Sequence, residues 1–207
     1  MTSSLPPFAS PVYLVDDEPG MLKALTRLLH TEGFTVRAFT SASEFLAGYR
    51  PGEGACLVLD VAMPEMDGPS LQRRLADEGD TLPIIFLTGH GDVPMAVRAV
   101  KSGAVDFLTK PVEDHALLGA VREALRVAQD RLGSQIAQAD LKARLASLTA
   151  REREVFNHVV AGKLNKQTAA DLGVCLQTVK IHRMRMMEKM GFTSVADLVR
   201  AAERAEL

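Results

Sequence analysis

The chain has 207 residues, 47% apolar and 24% charged, a globular composition whose length suits two domains. The net charge of −2 hides an acidic first part, −7 over residues 1–125, and a basic remainder, +5 over residues 126–207, so one module suits cations and the other nucleic acid. No apolar run approaches the roughly 18 residues of a transmembrane helix, no secretory leader is expected at Met1–Pro11, and two cysteines are too few for a disulfide framework or a thiolate zinc site, which fits a reducing cytoplasm and no membrane.

The first part alternates short apolar runs with helical patterns. Val12–Val15 is a β-branched run that stops at Asp16-Asp17, and a helix follows over Pro19–His30 with Pro19 in its first turn. Thr35–Phe39 alternates as a strand, and Ser41–Ala47 forms a short helix. Cys56–Leu59 is a continuous apolar run ending at Asp60, and Leu71–Leu75 lies in the next helix. Ile84–Leu87 is another buried strand, ending at Thr88. Asp92 caps a helix carrying Val93, Ala96, Val97 and Val100. Asp106–Thr109 is the last strand, ending at Lys110-Pro111, and a longer helix begins near Glu113. Continuous apolar strands separated by helices predict a doubly wound, five-stranded parallel sheet covered on both faces.

In such a sheet ligands bind beyond the carboxyl ends of the strands. Asp16, Asp17 and Glu18, Asp60, Thr88 and Lys110 all fall there. Crowded carboxylates repel unless a cation lies between them, and oxygen ligands without His or Cys favour Mg²⁺. An ammonium and a hydroxyl on the same rim suit phosphoryl oxygens, and an Asp carboxylate is a nucleophile able to form an aspartyl phosphate. Each residue alone has a plainer use, as a helix cap or a solvated lysine. Four strand ends together point to a magnesium-dependent phosphoryl site.

The first part resembles the receiver domain of bacterial two-component response regulators. The matching residues are Val15-Asp16-Asp17-Glu18, Leu59 through Gly68 (LDVAMPEMDG), Thr88 and Lys110-Pro111, and Phe86–Pro111 resembles the FixJ subgroup. The resemblance implies that Asp60 accepts a phosphoryl group from a sensor histidine kinase. It implies that Asp16, Asp17, Asp60 and the backbone carbonyl of Ala62 hold Mg²⁺. Lys110 then binds a phosphoryl oxygen, and its bond to Pro111 is cis. Thr88 and Phe107 form the switch: Thr88 moves to the phosphoryl group and Phe107 swings inward. Ala62 and His90 match positions that tune the lifetime of the aspartyl phosphate. Phosphorylation adds about −1.5 to −2 charge, and a bistable packed core can pass a small shift to a distant face. The face expected to change, and to form a regulated homodimer, carries Met95, Arg98, Ala99 and Lys101. Phe107 also serves as ordinary strand core, and His90 as a solvated loop residue.

Leu118, Leu125 and Leu132 recur every seven residues, but the pattern fails at Gln135 and Lys142, so the stretch from Glu113 begins as receiver core and continues as a helical linker. From Leu148 only short helices are expected. Thr149-Ala150-Arg151-Glu152 is a capping box before Val155, Phe156, Val159 and Val160. Asn165 is expected to cap the next helix, Gly173 to make the turn, and Leu176–Met190 and Thr193–Ala202 to form two more. The pattern predicts an all-α, four-helix helix-turn-helix domain. Lys180, Arg183, Arg185 and Lys189 give one helix a cationic face that suits a phosphate backbone, as it also suits plain solvation.

This half resembles the LuxR/NarL-type DNA-binding domain, carried by Leu148–Val155, Gly162, Asn165-Lys166-Gln167, Leu172-Gly173-Val174, Thr178 through Arg183 (TVKIHR) and Lys189. The resemblance implies double-stranded promoter DNA as partner. Lys180, Ile181 and Met184 match base-reading positions, while Lys166, Thr178, His182 and Arg183 meet phosphates or order the helix. Cys175 stands where a capping Ser is usual, and Met184 where a polar or basic residue is common. Expected boundaries are 1–127 for the receiver, 128–146 for the linker and 147–207 for the DNA-binding domain. The functional expectation is a phosphorylation-controlled transcription regulator of a two-component system, not an enzyme beyond its own phosphoryl transfer, with activation and contact with RNA polymerase as the default output. Phosphorylation either favours a dimer or relieves shielding of the DNA-binding domain. A phosphatase with Asp60 as nucleophile is disfavoured by Ala62 where a second Asp is wanted, nucleotide enzymes by the absence of a phosphate-binding glycine motif, and a DNA-free adaptor by the cationic helix.

Overall fold

The computed structural model describes residues 10–89 and 103–205. The helix expected after Asp92, with His90, Met95, Arg98, Ala99 and Lys101, lies outside the described residues.

Strands β1 (Pro11–Val15), β2 (Thr35–Phe39), β3 (Cys56–Asp60), β4 (Ile84–Thr88) and β5 (Asp106–Thr109) form one parallel sheet in the order β2-β1-β3-β4-β5. The three central strands are buried along their length, because successive side chains enter two different cores. Val12, Leu14, Cys56, Val58, Ile85 and Leu87 pack on one side, against α1 (Pro19–Thr31) and the start of α4 (Asp114–Ala146). Tyr13, Val15, Leu57, Leu59, Ile84 and Phe86 pack on the other, with Phe45 of α2 (Ala42–Gly48) and Leu71 and Leu75 of α3 (Gly68–Asp77). The strict alternation expected for β2 does not hold: at this edge Val36 and Phe39 are half-buried against the two different cores while Thr35, Arg37 and Ala38 are exposed, and β5 at the other edge is likewise only half-buried.

Local chemistry sets the element ends. Pro19 occupies the first turn of α1, and the Ser41 and Asp67 side chains accept the N–H groups of Glu44 and Ser70 at the starts of α2 and α3, at 3.1 and 2.8 Å. The helix begun at Asp114 is continuous for 33 residues. Leu117, Val121 and Leu125 cover the sheet, so its first part belongs to the core of the sheet, as expected.

The contacts divide the chain into two units between Leu132 and Gly133. Residues 133–146, within the stretch expected as linker, pack with the second unit, where Leu141 is buried. That unit contains α5 (Ala150–Val160), α6 (Asn165–Leu172), α7 (Leu176–Met190) and α8 (Val195–Arg204), gathered on Val155, Phe156, Val159, Met186, Met190 and Leu198. The Thr149–Glu152 capping box forms in both directions. Gly173, at φ 65°, makes the left-handed turn between α6 and α7. Asn165 does not cap α6, contrary to expectation. It is the helix's first residue, Leu164 holds the cap position, and the Leu164 N–H donates to Gln167 Oε1 at 2.9 Å.

Candidate functional site

Parallel register brings the sequence-separated polar residues to one edge of the sheet. Val15 stands level with Leu59, Asp60 with Leu87, and Thr88 with Thr109. Asp16, Asp60, Thr88 and Lys110 therefore meet at the carboxyl ends of adjacent strands, with Asp17 and Glu18 on the first loop.

At the centre lies Lys110 Nζ, 2.8 Å from Asp16 Oδ2, 2.9 Å from Asp60 Oδ1 and 3.8 Å from Glu18 Oε1. Asp16 and Asp60 are buried, as is the Thr88 side chain beside them on β4. Backbone groups fix the carboxylates: the Glu18 N–H donates to Asp16 Oδ1 at 2.9 Å, and the Ala62 N–H donates to Asp60 Oδ2 at 3.1 Å. The Lys110 N–H donates to the Thr88 carbonyl at 2.7 Å, and the Lys110–Pro111 bond is cis.

Burial pushes the Asp60 carboxyl above its usual value, and nearby Asp16 adds to the rise. The Lys110 bond and the Ala62 N–H oppose it without cancelling it. For Lys110, burial acts to lower the pKa but is outweighed by the bonds to Asp16 and Asp60, which raise it.

Asp16, Asp17 and Asp60 each offer an oxygen within 4.8 Å of the others, the one such metal-capable group among the described residues. A set of hard oxygens without imidazole or thiolate fits Mg²⁺. Phe107 is half-buried, with its ring centroid 6.4 Å from that of Phe86.

Two features of this edge were not singled out from sequence. Gly68 packs so closely beneath Asp60 that a Cβ there would lie 2.5 Å from the Asp60 carbonyl and 3.0 Å from the Phe86 ring. Glu65 takes a left-handed φ of 64° in the loop between Asp60 and α3. Gly68 is plain in the run LDVAMPEMDG, but its close approach is a tertiary property.

The second unit sorts the cations of α7. Lys189 is bound to the buried Glu152 carboxylate at 2.6 Å, and Arg183 donates to Asn165 Oδ1 at 2.7 Å. Lys180, Arg185, Ile181 and Met184 are exposed, while Thr178 and His182 are half-buried. His182 Nδ1 is buried without a hydrogen-bond partner among the described residues. Lys166 is exposed on α6. Cys175 makes no side-chain cap bond to α7, as its weak acceptor chemistry suggested. Its exposed thiol lies 3.1 Å from Thr178 Oγ1, and that hydroxyl, with the backbone amides at the helix start, holds it below the usual thiol value. The Asn165–Arg183 bond was not anticipated, since no local pattern links residues on different helices.

A doubly wound unit with an acidic rim, joined in one chain to a helix-turn-helix unit, has the two-module organisation of a bacterial signalling regulator. Residues 12–122 match the response regulator receiver domain, and residues 146–202 match the luxR family of bacterial regulatory proteins. The chain belongs to the response-regulator family, with a receiver domain and a LuxR-type DNA-binding domain, and is homologous to transcription regulators of that family. It is 47% identical to the response regulator protein TodT of Pseudomonas putida, over 95% of this chain and 86% of that one. It is 41% identical to the transcriptional regulatory protein FixJ of Bradyrhizobium diazoefficiens, over 94% and 95% of the two chains. The solved low-resolution structure of the response regulator StyR superposes with a TM-score of 0.83 at 43% identity, covering 95% of this chain and all of that one. A phosphodonor kinase and DNA are the partners of such a protein. Among the described residues no helix is long and apolar enough to cross a membrane.

Proposed function

We propose that Asp60 is the phosphoacceptor and that its phosphorylation controls promoter binding by α7. The observation that carries this reading is the position of Lys110 Nζ, within hydrogen-bond reach of both Asp16 and Asp60 on a rim that also holds Asp17 and Thr88. An Asp60 oxygen attacks the phosphorus of a kinase phosphohistidine, the P–N bond breaks, and the freed imidazole takes a proton. Asp16, Asp17, Asp60 and the Ala62 carbonyl would hold Mg²⁺, which would supply positive charge to offset that of the phosphoryl group. Lys110 exchanges a carboxylate contact for a phosphoryl oxygen, and the Ala62 N–H keeps Asp60 oriented. The chain thus takes part in its own phosphorylation and dephosphorylation without being an enzyme toward other substrates.

Thr88 then donates its hydroxyl to the phosphoryl group, and Phe107 follows into the space released. Coupling of this kind amounts to about 1–3 kcal/mol. It favours a homodimer that presents two helix-turn-helix units to two half-sites, so the first contact raises the effective concentration of the second. Lys180, Ile181 and Met184 face bases. Lys166, Thr178, His182 and Arg183 meet phosphates or order the helix; the exposure of Lys166 favours a phosphate contact for it, and the Asn165 bond of Arg183 favours an ordering role. A cytoplasmic location and activation through RNA polymerase go with this reading, with a receiver at 1–127, a DNA-binding domain at 147–207 and the intervening 128–146 a helical connection whose residues 133–146 pack with the second unit.

The test is labelling of the full chain by a radioactive small-molecule phosphodonor with and without Mg²⁺. Labelling of the parent and its loss in Asp60→Asn are expected, together with a shift of the parent alone toward dimer in sedimentation. Persistent Mg²⁺-dependent labelling of Asp60→Asn overturns the assignment, and a labelled but wholly monomeric parent removes the dimer mechanism.

A further inference from the structure

We infer that Gln177 reads an adenine in each operator half-site, a specificity-determining role on the DNA-binding surface proposed above. At about 100° per residue, Val179, Met186 and Met190 centre the buried side of α7, and Gln177 lies about 160° from Val179, in the middle of the opposite, exposed arc. It sits one turn before Lys180 and Ile181 and two turns before Met184, so these four residues form one outward surface at the N-terminal end of the helix. That end of a recognition helix is the one that meets base edges.

Chemistry separates the four. Lys180 offers donors only, and Ile181 and Met184 offer apolar surface suited to a thymine methyl. Gln177 alone among them carries a donor and an acceptor on one planar group, the pattern that pairs with adenine N7 and N6 in the major groove. Its side chain is exposed and has no hydrogen-bond partner among the described residues, so nothing within the unit competes for it. Lys189 and Arg183, by contrast, are held by Glu152 and Asn165. Helical phase places Gln177 on the reading surface, and the absence of an internal partner leaves its amide available there.

The experiment selects binding sites from random duplex DNA with the full-length chain, its Gln177→Ala and Gln177→Arg variants, and Lys180→Ala as a comparison. The parent should select one adenine column in each half-site. Gln177→Ala should lose that column alone, and Gln177→Arg should convert it to guanine, which a merely structural role would not do. Replacing that adenine should weaken parent binding by about 5- to 150-fold and leave Gln177→Ala nearly indifferent. The Lys180→Ala variant should relax a different column. Unchanged columns in Gln177→Ala, or a uniform weakening of all of them with no change of base preference, overturns the inference. A parent that binds DNA without any consensus overturns it too, by removing the base-reading role of α7 itself.

Discussion

Replacing Lys110 with methionine keeps the length of the stem and removes the ammonium that joins two buried carboxylates. Asp16 and Asp60 are 2% and 5% exposed at the side chain, while Lys110 is 12% exposed. Their oxygens lie within 4.8 Å of each other, so two full charges there repel by about 3.5 kcal/mol at an effective dielectric of about 20. Removing one partner of a buried pair costs about 3–5 kcal/mol. The lower end applies because Asp60, already pushed up by burial, can relieve part of the repulsion by taking a proton. A loss of about 3 kcal/mol in metal-free buffer corresponds to a urea midpoint about 1.5 M lower, for a slope of about 2 kcal/mol per molar. The chain has no tryptophan, and its two tyrosines, Tyr13 and Tyr49, belong to the first unit, so tyrosine fluorescence reports that unit's unfolding within the full chain. Saturating Mg²⁺ at about 100 times its dissociation constant restores about 2.7 kcal/mol to Lys110→Met, because the cation replaces the lost charge. The parent, where Lys110 already supplies charge, gains less. A variant within about 0.5 kcal/mol of the parent without metal, or an equal Mg²⁺ increment in both, refutes the reasoning.

Gly68→Ala drives a Cβ into the Asp60 carbonyl and the Phe86 ring, which should destabilise the first unit by about 1–3 kcal/mol by overpacking and slow phosphodonor labelling. Normal urea stability together with normal labelling would show that the backbone yields without consequence. In the second unit, the Lys189 ammonium and then the Thr149 N–H hold the Glu152 carboxyl down at about 2. A carboxyl depressed on folding stabilises the native state above its ordinary pKa near 4.5, and that contribution disappears as pH falls from there through about 2. Lys189→Ala should therefore flatten the acid dependence of hydrogen-exchange protection across Ala150–Val160 in that window, and an unchanged pH profile would contradict the assigned pair.

The parallel class, the strand limits and the polar strand ends were all legible along the chain, because each arises within a few residues. Val12–Val15, Cys56–Leu59 and Ile84–Leu87 are uniformly apolar because a strand covered on both faces needs both of its sides apolar. The Thr149–Glu152 box spans three residues and was equally plain. Asn165 shows the limit of local signals. Its type suited a cap, yet the chain enters α6 one residue earlier and gives its side chain to Arg183, 18 residues away.

Folding decided which charged groups face one another. Lys110 reaches Asp16 across 94 residues because β5 stands at the end of the order β2-β1-β3-β4-β5 with its carboxyl end level with the others, and no spacing in the chain encodes that distance. Lys180 and Lys189 are alike as letters and both exposed, yet the packing of α5 against α7 ties Lys189 to Glu152 and leaves Lys180 without an ion pair among the described residues. Residues 133–146, polar enough to read as linker, join the second unit because Leu141 finds an apolar core there. Local propensity and periodicity are short-ranged and survive in the amino-acid order, whereas ion pairs, close backbone approaches and the solvent-facing arc of a helix exist only after distant surfaces have packed.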